Sequence, residues 1–209
     1  MSLWLVVPVK SLRLGKSRLS PALDAGQRFA LSQALLLRTL QQAQRFPGLD
    51  RTLVVSACEE SCDFARARAA QVLAESPPGG LNDALEQAQA ALRGRGATCM
   101  LTIPCDLPLL DTEDLRRLGD VPTGFIALAP DRARRGTNGI CLPAQLAFEF
   151  RFGPDSFERH LDGVRRLGMQ STIVEREGLA FDIDVPDDLA ALRVLDARGP
   201  AAGAVVATE

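Results

Sequence analysis

The chain has 209 residues, enough for one domain with elaborations, and 46% of them are hydrophobic, which excludes a disordered chain. Its 24 basic and 26 acidic residues leave a net charge of −2, which argues against a general nucleic-acid binder. The apolar runs stay short of the roughly 18 residues that a membrane-spanning helix needs, and the first residues lack the features of a signal peptide.

Strands and helices are predicted to alternate along the first part of the chain. A continuous apolar run predicts a buried strand over residues 3–9, and Asp24 with Gln27 has the spacing of a capping box at the start of a helix over residues 24–45. Further strands are predicted over residues 51–57, 71–75 and 98–103, and further helices over residues 59–70, 82–93 and 111–118. This alternation predicts an α/β domain with a mostly parallel sheet and helices on both faces.

The second part of the chain is less regular. Its pattern predicts strands over residues 125–129, 139–142 and 172–175, a helix over residues 154–167, and a last helix beginning near Pro186. We assign residues 1–196 to a single domain. Residues 197–209 are small and weakly patterned, and we expect them to form a mobile tail.

A basic loop follows the first predicted strand. Lys10, Arg13, Lys16 and Arg18 lie within nine positions of a chain that is acidic overall, and Gly15 allows close backbone approach. Lysine and arginine at the carboxyl end of a parallel strand are suited to a polyphosphate, so we predict phosphate binding by this loop. A solvated basic loop is the alternative.

Three aspartates follow predicted strands or extended segments. Asp106 comes after the strand over residues 98–103, and Asp182 and Asp184 are two positions apart, so in an extended segment they point the same way. Three carboxylates at one sheet edge would suit Mg²⁺ bound together with substrate phosphates. The alternatives are a turn residue for Asp106 and a helix cap for Asp184.

Glycine turns and hydroxyl groups supply the remaining candidates. Gly80 and Asn82 open a helix whose free backbone amides could hold an anion or a base edge, although a plain capped loop fits equally well. Thr137, Gly153 and Ser156 could donate hydrogen bonds to a small anionic substrate. His160, one turn after Ser156, lines the same pocket or is a structural residue.

The cysteines and the histidine count restrict the chemistry further. Five cysteines, an odd number, favour reduced thiols and a cytoplasmic location. A single histidine disfavours both a zinc site and a histidine-dependent catalytic triad. If the nucleophile is a phosphate, no histidine is needed as a general base, because a phosphomonoester is largely dianionic at pH 7.

Several motifs in order, from Pro8 to Leu189, resemble the 2-phospho-L-lactate guanylyltransferase family of coenzyme F420 biosynthesis. They are PVK with GKSRL, GLNDAL, PCDLPLL, DRARRGTN, FGPDSF and FDIDVPDDL. The resemblance implies a Rossmann-like nucleotidyltransferase fold and a reaction of GTP with a small phosphorylated carboxylic acid that releases pyrophosphate. The acid is 2-phospho-L-lactate, phosphoenolpyruvate or 3-phospho-D-glycerate, and the sequence does not choose among them.

The resemblance also assigns roles to the candidate residues. Lys10, Lys16 and Arg18 would bind the triphosphate, with Lys16 and Asp106 as the catalytic pair, and Gly80 and Asn82 would lie near the guanine. Mg²⁺ would be held by Asp106, Asp182 and Asp184, and the acceptor acid by Thr137, Gly153 and Ser156. No nucleic-acid or membrane partner is expected, and a homodimer is one assembly that the sequence leaves open.

Two other functions remain open at this point. One is a different nucleotidyltransferase of the same fold, similar to the molybdopterin guanylyl- or cytidylyltransferases. The other is a catalytically inactive module that senses a nucleotide. Three carboxylates favour an enzyme, because a sensor has no need of a metal site.

Overall fold

A seven-stranded sheet forms the centre of the computed structural model, which describes residues 2–77 and 79–197. The strand order is β3-β2-β1-β4-β6-β5-β7. In chain order the strands are β1 (Leu3–Pro8), β2 (Thr52–Ser56), β3 (Gln71–Ala74), β4 (Cys99–Thr102), β5 (Phe125–Pro130), β6 (Thr137–Pro143) and β7 (Gln170–Ile173).

The sheet is parallel except around one strand. β1 pairs in parallel with β2 and β4, β2 with β3, and β5 with β7, whereas β6 runs antiparallel between β4 and β5. The predicted α/β domain with a mostly parallel sheet is therefore confirmed. Because β1 to β4 are parallel, the loops that follow them lie at one edge, where ligands bind in sheets of this kind.

Helices cover both faces of the sheet. They are α1 (Ala25–Arg45), α2 (Glu59–Arg66), α3 (Leu81–Gly94), α4 (Thr112–Gly119), α5 (Ser156–Arg166), α6 (Glu177–Ala180) and α7 (Pro186–Ala197). The core on one face contains Leu36 of α1 and Leu115 of α4, and the core on the other contains Leu85 of α3 and Phe157 of α5. Within the described residues every helix is too short or too polar to span a bilayer.

A third apolar cluster packs the basic loop and α1 against the segment around Ile183 and against α7. Phe181 and Ile183 pack with Leu19 of the basic loop, Leu35 of α1 and Leu192 of α7. Phe181 and Ile183 alternate with the two aspartates of the same extended segment. Since alternate residues of an extended chain face opposite ways, anchoring the apolar pair in the core turns the aspartates toward the ligand edge.

The differences from the predicted elements lie mainly at polar or short segments. The capping box of Asp24 and Gln27 is present, with Gln27 N donating to Asp24 at 2.8 Å. β7 starts two residues before the predicted strand over residues 172–175, because exposed Gln170 and Ser171 pair with β5 without any apolar signal. The four-residue α6 was too short for a periodic pattern. The mobile tail was expected over residues 197–209, but Ala197 is the last residue of α7, and residues 198–209 lie outside the described residues.

Candidate active site

Two adjoining cavities lie at the carboxyl edge of the sheet. The larger has a volume of about 1040 Å³ and the smaller about 320 Å³. Asp106 and Asp184 line both of them, together with Pro8, Leu81 and Pro104. Ligand pockets commonly have volumes of about 300–1,000 Å³, so the larger cavity has room for a nucleotide and the smaller for a compact acid.

The larger cavity collects the basic loop and the glycine turn before α3. Lys10, Lys16, Arg18 and Gly80 all line it. Lys16 has left-handed backbone dihedrals, with φ at 56°, immediately before a single 3-10 turn over Ser17–Leu19. This conformation is uncommon for a lysine and is sustained by the surrounding contacts, of which the side chain makes two.

Lys16 forms a largely buried ion pair with Asp106, the first of the three predicted metal ligands. Its Nζ donates to Asp106 Oδ2 at 2.6 Å and to the Ile183 carbonyl at 2.5 Å, and its side chain is only 11% exposed. Burial alone would lower the pKa of Lys16, but the Asp106 carboxylate outweighs it and the pKa is raised. The lysine is therefore held in its charged form at the wall of the larger cavity.

Arg18 forms a similar ion pair with Asp184, the last of the three predicted metal ligands. Its guanidinium donates to Asp184 Oδ2 at 2.6 Å in a more exposed pair. The sequence offered a helix cap as the alternative role of Asp184, but Asp184 does not cap α7. Instead Asp188 accepts from the backbone N–H groups of Asp184 and Val185, each at 2.8 Å. Asp188 thus fixes the turn that leads into α7, and the Asp184 side chain lines the cavities.

Asp182 completes the carboxylate set. It lines the smaller cavity, where its Oδ1 accepts a hydrogen bond of 3.3 Å from Asn138. Burial first, and then the nearby Asp106 carboxylate, raise the pKa of Asp182. The negative charge of Asp106 therefore disfavours ionisation of Asp182.

The oxygen atoms of the three aspartates are suited to a hard cation, although the three side chains are not close enough together to form a metal site in this structure. Asp106 Oδ1 is buried and has no hydrogen-bond partner in the described structure, and an unpaired buried carboxylate oxygen is costly. Carboxylate oxygens are the ligands that Mg²⁺ prefers. Among the described residues, however, no three acidic, histidine or cysteine side chains are close enough to hold one ion. Lys16 and Arg18 instead pair with two of the three aspartates.

The smaller cavity contains the predicted acceptor residues. Thr137, Gly153 and Ser156 line it, and Thr137 N–H donates to Ser156 Oγ at 3.0 Å. Gly153 has φ at 124°, a value that residues with a side chain rarely adopt. The strand β6 and the start of α5 are therefore held together at the cavity wall by a hydroxyl and a glycine turn.

His160 is fully buried behind this wall. Its Nδ1 is 2.9 Å from Thr137 Oγ1, and its Nε2 accepts a hydrogen bond of 3.0 Å from Arg151 N–H. Burial lowers the pKa of His160 to about 4, so the imidazole is neutral at physiological pH. His160 is not among the residues that line the smaller cavity.

Asn82 has a different position from the other predicted residues. Of the residues that the resemblance assigns to the nucleotide, the metal or the acceptor, it alone lines neither cavity in the described structure. Its Oδ1 accepts from Phe152 N–H at 2.8 Å, and its Nδ2 donates to the Phe152 carbonyl at 3.4 Å. Asn82 thereby links the helix beside the larger cavity to the turn beside the smaller one. Its predicted contact with guanine stays a prediction.

Some residues of the site were not assigned a role from the sequence. Glu75 lines the larger cavity and accepts from Gly80 N–H at 2.6 Å, which fixes the glycine turn. Asn138 orients Asp182, and Asp131 accepts from the Gly136 N–H at 2.8 Å. Glu75 directly follows β3, so the rule that ligand-edge residues follow parallel strands would have singled it out.

Comparison with known proteins gives a consistent match over almost the whole chain. The family model described as guanylyl transferase CofC like matches residues 3–199. The phosphoenolpyruvate guanylyltransferase of Rubrobacter xylanophilus is 41% identical over 196 residues, covering 92% of this chain and 94% of that protein. That of Conexibacter woesei is 36% identical and covers 97% of this chain and 93% of its own length.

Solved structures share the fold at much lower identity. A nucleotidyl transferase from Methanothermobacter superposes with a TM-score of 0.64 at 17% identity, covering 94% of this chain and 98% of the other. A cytidylyltransferase from Leptospira borgpetersenii gives a TM-score of 0.61 at 12% identity, covering 96% and 88% of the two chains. At these identities the likeness establishes the fold and nothing finer.

Proposed function

The chain belongs to the CofC-like guanylyl transferase family, and from that premise we propose that it transfers GMP from GTP to the phosphate of phosphoenolpyruvate. Pyrophosphate leaves, and the product is the nucleotide-activated acid used in coenzyme F420 biosynthesis. The observation that carries the acceptor choice is the name shared by the two relatives, phosphoenolpyruvate guanylyltransferase, at 36–41% identity over at least 92% of this chain.

We assign the larger cavity to GTP and the smaller to the acceptor. The larger cavity has the volume for a nucleotide and is lined by the lysines and the arginine of the basic loop. The smaller is lined by hydroxyl groups and a glycine turn suited to a small anionic acid. Asp106 and Asp184 line both, so the reacting phosphates would meet beside them.

In this proposal the acceptor supplies the nucleophile. One of its phosphate oxygens attacks the α-phosphorus of GTP in line with the departing pyrophosphate. No side chain has to remove a proton, because the attacking phosphate is already largely dianionic. The protein then contributes mainly positioning and stabilisation of the negative charge that develops on phosphorus and on the leaving group.

Lys16 and Arg18 are the residues placed to supply that stabilisation. Both now contact aspartates, and both also line the larger cavity. We propose that they exchange these carboxylate partners for phosphate oxygens when GTP enters. Because Lys16 is kept protonated by its surroundings, it reaches the phosphates as a cation.

Asp106, Asp182 and Asp184 are the residues that would hold Mg²⁺. Their support is the unpaired buried oxygen of Asp106 and the all-oxygen character of the set. When bound, Mg²⁺ supplies neutralisation of phosphate charge and polarises the phosphoryl oxygens. Release of Lys16 and Arg18 toward the triphosphate would free two of these carboxylates for the ion. We also propose a cytoplasmic location, since all five cysteines are free thiols.

The test is an acceptor panel. GTP and Mg²⁺ are incubated with 2-phospho-L-lactate, phosphoenolpyruvate or 3-phospho-D-glycerate in separate tubes, with pyrophosphate measured and product masses read by mass spectrometry. We expect the guanylylated phosphoenolpyruvate to form fastest. A faster reaction with another acid would overturn the acceptor assignment. Product from CTP in place of GTP would indicate a different nucleotidyltransferase, and GTP binding without pyrophosphate in every tube would indicate a nucleotide sensor.

A further inference from the structure

The protonation state of His160 can be deduced from its two partners. The backbone N–H of Arg151 can only donate, and it points at Nε2 from 3.0 Å, so Nε2 must be the unprotonated nitrogen of the ring. A neutral imidazole then carries its hydrogen on Nδ1. The partner of Nδ1 is Thr137 Oγ1 at 2.9 Å, so the ring donates and the threonine oxygen accepts.

This arrangement fixes what the Thr137 hydroxyl can do. Its oxygen accepts from the ring, so its own hydrogen is left to point elsewhere, and Thr137 lines the smaller cavity. The neighbouring Ser156 Oγ is in the same situation, because it accepts from Thr137 N–H. Within the described residues neither hydroxyl has a protein acceptor for its hydrogen. Both are therefore available as donors to a bound anion.

We propose that His160 is a positioning residue for the acceptor: it holds the Thr137 hydroxyl as a hydrogen-bond donor aimed into the smaller cavity, at the anionic group of the bound acid. This inference rests on the proposed assignment of that cavity to the acceptor. His160 itself does not touch the acid, and it acts only through Thr137.

The charge of the cavity explains why the orientation matters. Four aspartates line it, namely Asp106, Asp131, Asp182 and Asp184, so an anionic acid depends on well-aimed donors. With the hydrogen on Nε2 instead, Thr137 would donate to the ring and turn its lone pairs toward the acid. The same threonine would then repel the substrate that it is placed to bind. The deduced tautomer is the one that avoids this.

The single histidine of the chain makes the tautomer directly measurable. Tag-free protein labelled with ¹⁵N-histidine contains one imidazole, so its two ring nitrogens give one unambiguous pattern in long-range ¹H–¹⁵N NMR spectra. At pH 7 we expect Nδ1 to be protonated and Nε2 to be bare, and we expect the Nδ1 signal to shift when phosphoenolpyruvate is added. A protonated Nε2, or an Nδ1 signal that phosphoenolpyruvate leaves unmoved, would overturn the proposal.

Kinetics separate positioning from mere packing. His160→Phe keeps an aromatic ring and removes the donor, whereas His160→Asn retains an N–H near the position of Nδ1. We expect His160→Phe to raise the KM for the acceptor about tenfold, the size of one lost oriented hydrogen bond, with His160→Asn recovering part of it and the KM for GTP unchanged in both. Equal increases of both KM values, or no recovery by asparagine, would show a structural role only.

A double-mutant cycle with Thr137→Val completes the test. If His160 acts through the Thr137 hydroxyl, His160→Phe should have little further effect on the acceptor KM once that hydroxyl is gone. Additive effects would contradict the proposal. Wild-type protein that makes no pyrophosphate from GTP and phosphoenolpyruvate would defeat the proposed function instead, while wild-type activity with the wrong tautomer would defeat only this inference.

Discussion

Lys16 donates a hydrogen bond of 2.6 Å to Asp106, although the two residues are 90 positions apart in the chain. The pair joins the loop after β1 to the loop after β4, and these strands are neighbours in the sheet. Each charge compensates the other in a shielded position, where either one alone would be costly. The cation expected to bind phosphate and the carboxylate expected to bind metal thus neutralise each other in this structure.

Replacement of Asp106 by asparagine should abolish turnover without unfolding the protein. Asparagine keeps an oxygen that can accept from Lys16, so the fold is retained, but it loses the charge needed to hold Mg²⁺. We expect kcat to fall by about 100-fold or more, the usual size for loss of a main electrostatic contributor. Steady-state kinetics and thermal unfolding check this, with Asp120→Asn, an exposed aspartate after α4, as the control. Normal turnover at saturating Mg²⁺ would defeat the assignment of Asp106.

Lys16→Met should strengthen binding of a divalent ion in the absence of nucleotide. The lysine ammonium competes with the ion for Asp106, and at a partly exposed site removal of a competing charge is worth about 1–2 kcal/mol, or about tenfold in Kd. Turnover should be lost at the same time. Titration with Mn²⁺, followed by electron paramagnetic resonance, measures the affinity.

The matched control for the metal titration is Lys10→Met. Lys10 lies on the same loop, but within the described residues it has no ion pair with these aspartates, so its removal should leave the Mn²⁺ affinity near the wild-type value. Unchanged affinity in Lys16→Met would mean that the lysine does not compete for the metal site.

Ser156→Ala should mainly raise the KM for the acceptor. The serine lines the smaller cavity, and its Oγ also accepts from Thr137 N–H, so a buried donor is left unpaired and the free energy of unfolding should fall by about 1–3 kcal/mol. Initial-rate kinetics with each substrate varied in turn measure the effect, with the exposed Ser171→Ala as the control. A raised KM for GTP beside an unchanged acceptor KM would show that the two cavities are reversed.

Asn82→Ala distinguishes a base-reading role from a bridging role. Its amide is bound to both backbone groups of Phe152, so the turn before Gly153 should loosen and the acceptor KM should rise several-fold. Comparing the turnover of GTP with that of other nucleoside triphosphates tests the base-reading role. A loss of preference for guanine with an unchanged acceptor KM would favour the contact with guanine that the sequence predicts.

His160 should make stability depend on pH below neutrality. Its pKa is lowered by burial from 6.5 to about 4, so between these values the unfolded chain binds a proton that the folded chain does not. The free energy of unfolding should therefore fall as the pH falls through this window, by up to about 3 kcal/mol. Urea unfolding at a series of pH values measures the slope, which should be shallower in His160→Asn. Parallel curves for the two proteins would contradict the buried neutral ring.

The ligand edge was predictable from sequence because it follows from a simple geometric rule. Parallel strands bring the loops after them to one edge, so the basic loop and Asp106 were expected at the same edge of the sheet. The pairing of β1 with β4 then places them in contact. The shared direction of Asp182 and Asp184 was equally predictable, because apolar and acidic residues alternate in the extended segment around Ile183.

The wall of the smaller cavity was not predictable in the same way. It depends on β6 running antiparallel between β4 and β5, and on hydrogen bonds that join Thr137, Arg151 and His160. These hydrogen bonds depend on single side-chain atoms, and no periodic pattern in the sequence indicates them. For the same reason Asn82 was predicted to lie beside the base, and no pattern in the sequence indicated its hydrogen bonds to Phe152.

The most direct test of the whole account is a crystal structure with Mn²⁺, phosphoenolpyruvate and a GTP analogue that cannot be cleaved at the α-phosphorus, with the metal located by its anomalous signal. We predict a metal peak against Asp106, Asp182 and Asp184, with Lys16 moved from Asp106 to a phosphate oxygen. A triphosphate bound elsewhere, with the bond between Lys16 and Asp106 intact, would contradict the account.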